Sequence, residues 1–258
     1  MKHTLTVTLL TLTLCSQAWS QDATNEAKEP DKKEVSAGVK MWQNFSNLPK
    51  ETREEYSTMF RKAQSLFNQK RIFDTLETLD ILQKIFPDHP AELNLRGACY
   101  VEIRSFDKAS VIFNKILKVA PENTNVLFNL AELDFVTNKW ASSHARFESL
   151  IPKIPKGQKA MLRLCEFKFL LCKLKLDKVD EAQALAEKYD QWDDSPFYYY
   201  SQGALLYHAD SKQEADKMFR NARYVWRNSA VLAPWQDTLI EFGYIRSFYG
   251  NSEEEEEE

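Results

Sequence analysis

Residues 90–155 read PAELNLRGACYVEIRSFDKASVIFNKILKVAPENTNVLFNLAELDFVTNKWASSHARFESLIPKIP. In the first half, Leu93, Gly97, Tyr100, Ala109, Phe113 and Pro121 stand at a fixed set of offsets. In the second half, Leu127, Ala131, Phe147 and Pro155 follow Leu93, Gly97, Phe113 and Pro121 by 34 residues each. A fixed period of this length predicts an array in which one supersecondary unit is stacked again and again. The residue types suit a pair of antiparallel helices. Gly97 and Ala109 let two helices approach, Tyr100 and Phe113 fill the space beside them, and Pro121 stops the second helix.

The same frame extends outward. A first repeat fits residues 56–89, with Met59, Ala63, Leu66, Leu79, Leu82 and Pro87 in place, although Thr75 and Lys62 replace an expected Ala and Leu. The third, residues 124–157, keeps Leu127, Leu130, Ala131, Phe147, Leu150 and Pro155, with Asp134 at the aromatic position and Ser143 at the Ala position. Then the frame slips. Met161, Leu164 and Cys165 continue it, but Ala182, Ala186 and Tyr189 come about five residues late. This predicts a degenerate fourth pair with a longer helix or loop near residues 173–179. A fifth pair returns at residues 196–227, with Gly203, Ala215, Phe219 and Ala222 in place and a turn at residues 209–212. Residues 234–249 then read as a closing helix that Gly250 stops.

These offsets resemble the tetratricopeptide repeat over about residues 56–227. The resemblance implies an all-α fold: a right-handed α-solenoid of about five helix pairs plus end helices. It also implies a concave groove lined by the first helix of each pair, used to bind peptides or extended protein segments. Carried over by position, that groove takes Phe60 and Phe67 from the first pair, and Asn94, Ala98 and Val101 from the second. The third gives Phe128, Glu132 and Phe135, the fourth Lys159, Glu166 and Phe169, and the fifth Tyr200, Tyr207 and His208. Asn129, Lys159 and Arg163 match three positions of the carboxylate clamp of chaperone-tail-binding members. Asn94 and Ala98 depart from it, standing where those members carry Lys and Asn. Such a clamp holds a peptide's terminal carboxylate and an acidic side chain between basic groups and an amide.

Outside the repeats the chain divides by composition. Residues 1–20 have a polar start at Lys2 and His3, an apolar run to Cys15, and Ala18-Trp19-Ser20 as a cleavage site, which reads as a secretory signal. Leu14 stands where a lipoprotein signal carries a small residue. Residues 21–40 are polar and charged and read as a disordered linker. The repeat domain is expected over 41–250, with Trp42, Phe45 and Leu48 packing on the first pair and Asn47 capping a helix that has Pro49 in its first turn. Residues 251–258 form an acidic disordered tail, which reads as a solubilising segment and, in a second reading, as a ligand for Lys159 and Arg163.

Hydrophobic residues make up 43% and charged residues 28% of the 258, an ordinary balance for a globular chain. The formal charge is −4, but without the signal and Glu253–Glu258 the remainder carries 33 basic against 32 acidic residues. A body so near neutrality gives no electrostatic case for nucleic acid. After the signal, no segment is long and apolar enough for a membrane helix. Cys99, Cys165 and Cys172 are an odd set, and Cys165 and Cys172 lie two helical turns apart, too far to bridge. They read as buried small hydrophobes.

There is no Gly-x-Ser-x-Gly, phosphate loop, His-Glu-x-x-His or Cys-x-x-Cys, and His89, His144 and His208 are scattered. His89, between Pro87 and Pro90, and His144 are expected at the surface. The run Phe197-Tyr198-Tyr199-Tyr200 cannot form one flat sugar platform, because consecutive helical residues point different ways. The sequence thus predicts no cofactor, no metal site and no enzyme. It predicts an exported interaction module with a protein or peptide partner, a scaffold supporting assembly in a bacterial envelope. The alternative is a glycan- or peptidoglycan-associated enzyme subunit whose groove binds polymer.

Overall fold

The structure is a computed structural model that describes residues 37–246. The expected leader, the expected linker up to residue 36, Gly250 and the acidic stretch at the end lie outside the described residues. Among the described residues twelve α-helices follow one another: α1 (Ala37–Ser46), α2 (Lys50–Asn68), α3 (Ile72–Ile85), α4 (Pro90–Glu102), α5 (Phe106–Leu117), α6 (Thr124–Val136), α7 (Trp140–Leu150), α8 (Lys159–Lys175), α9 (Val179–Ala186), α10 (Phe197–His208), α11 (Lys212–Val225) and α12 (Ser229–Phe242). Among the described residues there is no strand. The residues up to Asn129 and those from Leu130 onward form two compact units, and α6 contributes to both.

One turn geometry recurs between paired helices. Lys70, Arg104, Asn138, Asp177 and Asp210 all have φ between 57° and 60°. In each, the next residue's N–H reaches back five residues to a carbonyl: Arg71 to Leu66, Ser105 to Tyr100, Lys139 to Asp134, Lys178 to Lys173, and Ser211 to Leu206. This left-handed cap satisfies carbonyls that the ending helix orphans, at a modest backbone cost for residues other than Gly. The left-handed positions are 34 residues apart from 70 to 104 and from 104 to 138, then 39 from 138 to 177 and 33 from 177 to 210. The five extra residues are the frame slip, and four of them lengthen the helix. α8 has 17 residues, whereas α4 and α6 have 13 each, and the turn after it stays short.

In the unit up to Asn129, the core holds Tyr56, Ala63, Phe67, Leu79, Leu82, Leu95 and Cys99, with Phe45, Met59 and Phe60 packed against it. The described residues are helical from Ala37, ahead of Met41. Pro49 caps α2, and Asn47 does not, because Leu48 and Pro49 separate it from the first helical residue. His89 is a correction. It is buried, its Nδ1 accepts from the Ala91 N–H at 3.2 Å, and the rings of Trp42, Phe45, Tyr56 and Phe86 lie 4.9–6.0 Å from it. It caps α4 ahead of Pro90, and burial pulls its pKa down to about 4.

In the unit from Leu130, Ser143 is buried and its hydroxyl donates to the Ala131 carbonyl at 3.0 Å, so a hydroxyl serves at the Ala position without an unpaired group. Asp134, at the aromatic position, accepts from Arg146 at 2.7 Å and Ser142 at 2.6 Å, while Phe135 meets Trp140 edge-on at 5.2 Å. His144, expected at the surface, is buried with its ring 4.6 Å from that of Phe169. The closing helix also differs from expectation. Asn228 caps it by accepting from the Ala230 N–H, Pro234 sits inside it, and Gly243 ends it at φ 84°. A proline forfeits only one donor there, so it did not mark the start. Cys99, Cys165 and Cys172 are buried and form no disulfide.

Helix approach rests on glycine. A Cβ on Gly97 would lie 2.4 Å from Cε1 of Phe113, and one on Gly203 would lie 2.3 Å from Cε1 of Phe219. Phe113 is fully buried, so its ring has nowhere to go. Gly97→Ala is expected to cost about 1–3 kcal/mol by overpacking, and Phe113→Ala about 3–5 kcal/mol. The pair Gly97→Ala and Phe113→Leu should lose less than the sum of the two single changes in urea melts of the full chain. Strict additivity would contradict this contact.

Candidate functional site

The site lies in the unit from Leu130 and is built around α8. This helix is buried on nearly all sides, including at Phe167, Lys168, Leu170, Leu171 and Cys172. A helix buried on most of its faces needs a neighbour on each of them. α7, α9 and α10 cover part of it, and α12 covers another part.

The α12 contact is aromatic with a charged centre. Leu232, Trp235, Leu239 and Phe242 are all buried and are spaced three, four and three residues apart, which places them along one stripe. The Trp235 ring lies 5.3 Å from Phe167, 5.7 Å from Tyr200 and 6.4 Å from Phe197. Phe242 stacks on Phe135 at 6.0 Å and meets Trp140 edge-on at 5.4 Å. Tyr244, just beyond, stacks on Tyr207 at 4.7 Å.

Between the two ring clusters stands Lys168, 3% exposed. Its Nζ donates to Glu132 at 2.6 Å and to Glu241 at 3.3 Å, and it lies 4.5 Å from the Phe135 ring centroid. Burial opposes its charge, but the two carboxylates more than offset this and hold its pKa up. Glu241 is pushed up to about 7. Burial is the main cause and Glu132 adds to it, while Lys168 pulls the other way.

A second cluster ties down residues 187–195. Arg163 donates to Asp193 at 3.0 Å and to the Tyr189 hydroxyl at 2.7 Å, with its guanidinium 3.5 Å from the Tyr189 ring centroid. Glu166 accepts from Lys188 at 2.5 Å and Tyr189 at 3.1 Å. Lys159 pairs with Asp194 at 3.0 Å, but this pair is exposed and contributes little. Burial works against the Asp193 charge, and bonds from Arg163 and Ser195 outweigh it and hold its pKa down.

No family model matches the chain, and no curated protein matches it in sequence. Solved structures do. One is YrrB, described as a TPR protein with an unusual peptide-binding site, at 15% identity and a TM-score of 0.50, covering 73% of this chain and 95% of that one. Another is PilF of Pseudomonas aeruginosa, at 13% identity and a TM-score of 0.54, covering 78% of this chain and 97% of that one. The chain has the tetratricopeptide-repeat fold.

On that fold the predicted groove residues separate into groups. Phe67, Phe135 and Tyr200 are core residues and do not line an open groove. Phe67 packs inside its helix pair, and Phe60 packs against the same cluster. Phe135, Tyr200 and Tyr207 each meet a ring of the closing segment, those of Phe242, Trp235 and Tyr244 in turn. Phe169 turns instead toward His144. Asn94 and Asn129 meet each other in the other unit, where the Asn129 side-chain amide donates to Asn94 Oδ1 at 2.9 Å, and Phe128 is buried. The two basic clamp positions, Lys159 and Arg163, do hold carboxylates, those of the chain's own Asp194 and Asp193.

Sequence reasoning missed Lys168, Glu241, Trp235 and Phe242. The three-four-three stripe in residues 232–242 was the available signal, hidden by starting the closing helix at Pro234.

Seating α12 carries a proton with it. Released, Glu241 returns to an ordinary value near 4.5. Its raised value in the seat makes docking strongest below that pH and progressively weaker as pH rises toward 7. Hydrogen-exchange protection of α12 amides, relative to α8 and corrected for intrinsic rates, should be higher at pH 5 than at pH 8 by on the order of tenfold or more. Glu241→Gln should flatten that dependence.

Proposed function

We propose that this protein is an exported, non-enzymatic interaction module that binds a peptide or an extended protein segment on the first-helix face of its repeats. The observation that carries this reading is the face of Phe135, Phe167 and Tyr200. It accepts a 14-residue helix through rings at both ends and a buried lysine between them. Apolar surface with one fixed polar anchor suits recognition of a protein segment, since the rings supply affinity and the charge supplies register. The peptide-binding site that YrrB is described as having supports the same use of the fold.

Export and a role as a scaffold in envelope assembly are part of the proposal. Their support is the leader-like sequence of residues 1–20. Among the described residues no helix is long and apolar enough to cross a membrane.

Affinity capture from solubilised bacterial envelope, with the full mature chain as bait and a Lys168→Glu chain as control, tests the reading. A defined protein should be enriched by the natural chain, and its recovery should fall at least several-fold with the variant. Retention on insoluble peptidoglycan with no enriched protein would instead favour a polymer-binding subunit.

A further inference from the structure

α12 is a short helix with a specific seat. Residues 226–228 join it to α11, and with 14 residues it is marginal as a helix without that seat. Its stripe of Leu232, Trp235, Leu239 and Phe242 supplies the apolar contact. Its charged contact is less ordinary. Lys168 already has a carboxylate in Glu132, at 2.6 Å, and Glu241 brings a second at 3.3 Å. A buried charge cluster adds little net stability compared with apolar packing, but it discriminates strongly between partners that match it and partners that do not. Trp235 and Phe242 fix where the helix lies, and Glu241 fixes its register beside the second ring. The seat therefore reads a pattern: two aromatic rings seven residues apart, apolar residues three and four positions around them, and a carboxylate immediately before the second ring.

We infer that α12 is a built-in occupant of a helix-binding site, and that the external ligand of this site is a partner helix carrying that same pattern, which enters when α12 leaves. The inference rests on the interaction-module reading above and names the partner chemistry for its face. The partner matches the apolar stripe and offers an acidic side chain to Lys168. A helix with a lysine or arginine in place of that acid would set like charges together in a buried place, and the seat rejects it. α12 in turn sets a threshold. A partner binds only as far as its own contacts exceed those of a competitor tethered at high effective concentration.

The test uses the full chain and a fluorescent peptide of residues 228–246. Trp235→Ala with Phe242→Ala in the chain weakens the tethered helix and leaves the seat intact. The peptide of natural sequence should bind that variant at least tenfold more tightly than it binds the natural chain. A peptide carrying Glu241→Lys should lose at least tenfold. Equal binding by variant and natural chain, with helical content retained, would overturn the inference. So would indifference to Glu241→Lys, or a natural chain that is a dimer dissociated by the peptide, since α12 would then serve a second copy. If the variant loses its helical content, native-state hydrogen exchange on the natural chain decides. α12 amides should open at least tenfold more readily than α8 amides, and a shared opening for both helices would overturn the inference. No native partner enters this experiment, so it reads the seat independently of the capture result.

Discussion

Lys168 sits where a helix array ordinarily places an apolar side chain. A lysine that is 3% exposed is tolerable only if its charge is matched on the spot. Glu132 and Glu241 provide the match, and Phe135 offers a ring face to the same ammonium. The three titratable groups come from α6, α8 and α12, elements far apart in sequence. Removing Lys168 leaves two carboxylates buried together without a cation, whereas removing Glu241 leaves the Lys168–Glu132 pair in place and takes away the charged link to α12. The position of α12, and with it the covering of Phe135 and Tyr200, depends on this.

Helix pairing itself has a simpler basis, and the sequence carried it openly. Gly97 opposite Phe113 and Gly203 opposite Phe219 are contacts in which a single Cβ would overlap a ring. Such sites leave a strong mark, because few residues fit. The 34-residue rhythm of the sequence reappears in the left-handed turn residues, and its break to 39 places the extra turn of helix in α8. Lys70 and Arg104 show why turn chemistry alone would not have revealed the pairs. Neither is a turn-forming type, and both take φ near 60° because the flanking helices impose it.

The site was less legible for the same physical reason. Helical spacing fixes which side of a helix a residue occupies, but not what covers that side. Phe135 and Tyr200 are expected in an open groove, and the helix that covers them was not foreseen. A stripe such as Leu232, Trp235, Leu239 and Phe242 can pack against almost any apolar face. Lys168 was invisible because a lone lysine in a helix is nearly always solvated. His89 was misplaced because flanking prolines usually mark an exposed turn, whereas here four rings enclose the imidazole. Lys159 and Arg163 were read as anchors for carboxylates. They hold carboxylates supplied by residues 193 and 194, much as the aromatic face holds a helix supplied by the same chain.

The account stands on the claim that Lys168 and Glu241 hold α12 against α8. A double-mutant cycle with Lys168→Met and Glu241→Gln in the full chain, read by urea unfolding at pH 8, measures that link. If the claim is right, the double variant is destabilised by less than the sum of the single variants, with a coupling of about 1 kcal/mol or more. Additivity within about 0.3 kcal/mol would mean that the two groups do not meet in solution, and would contradict it.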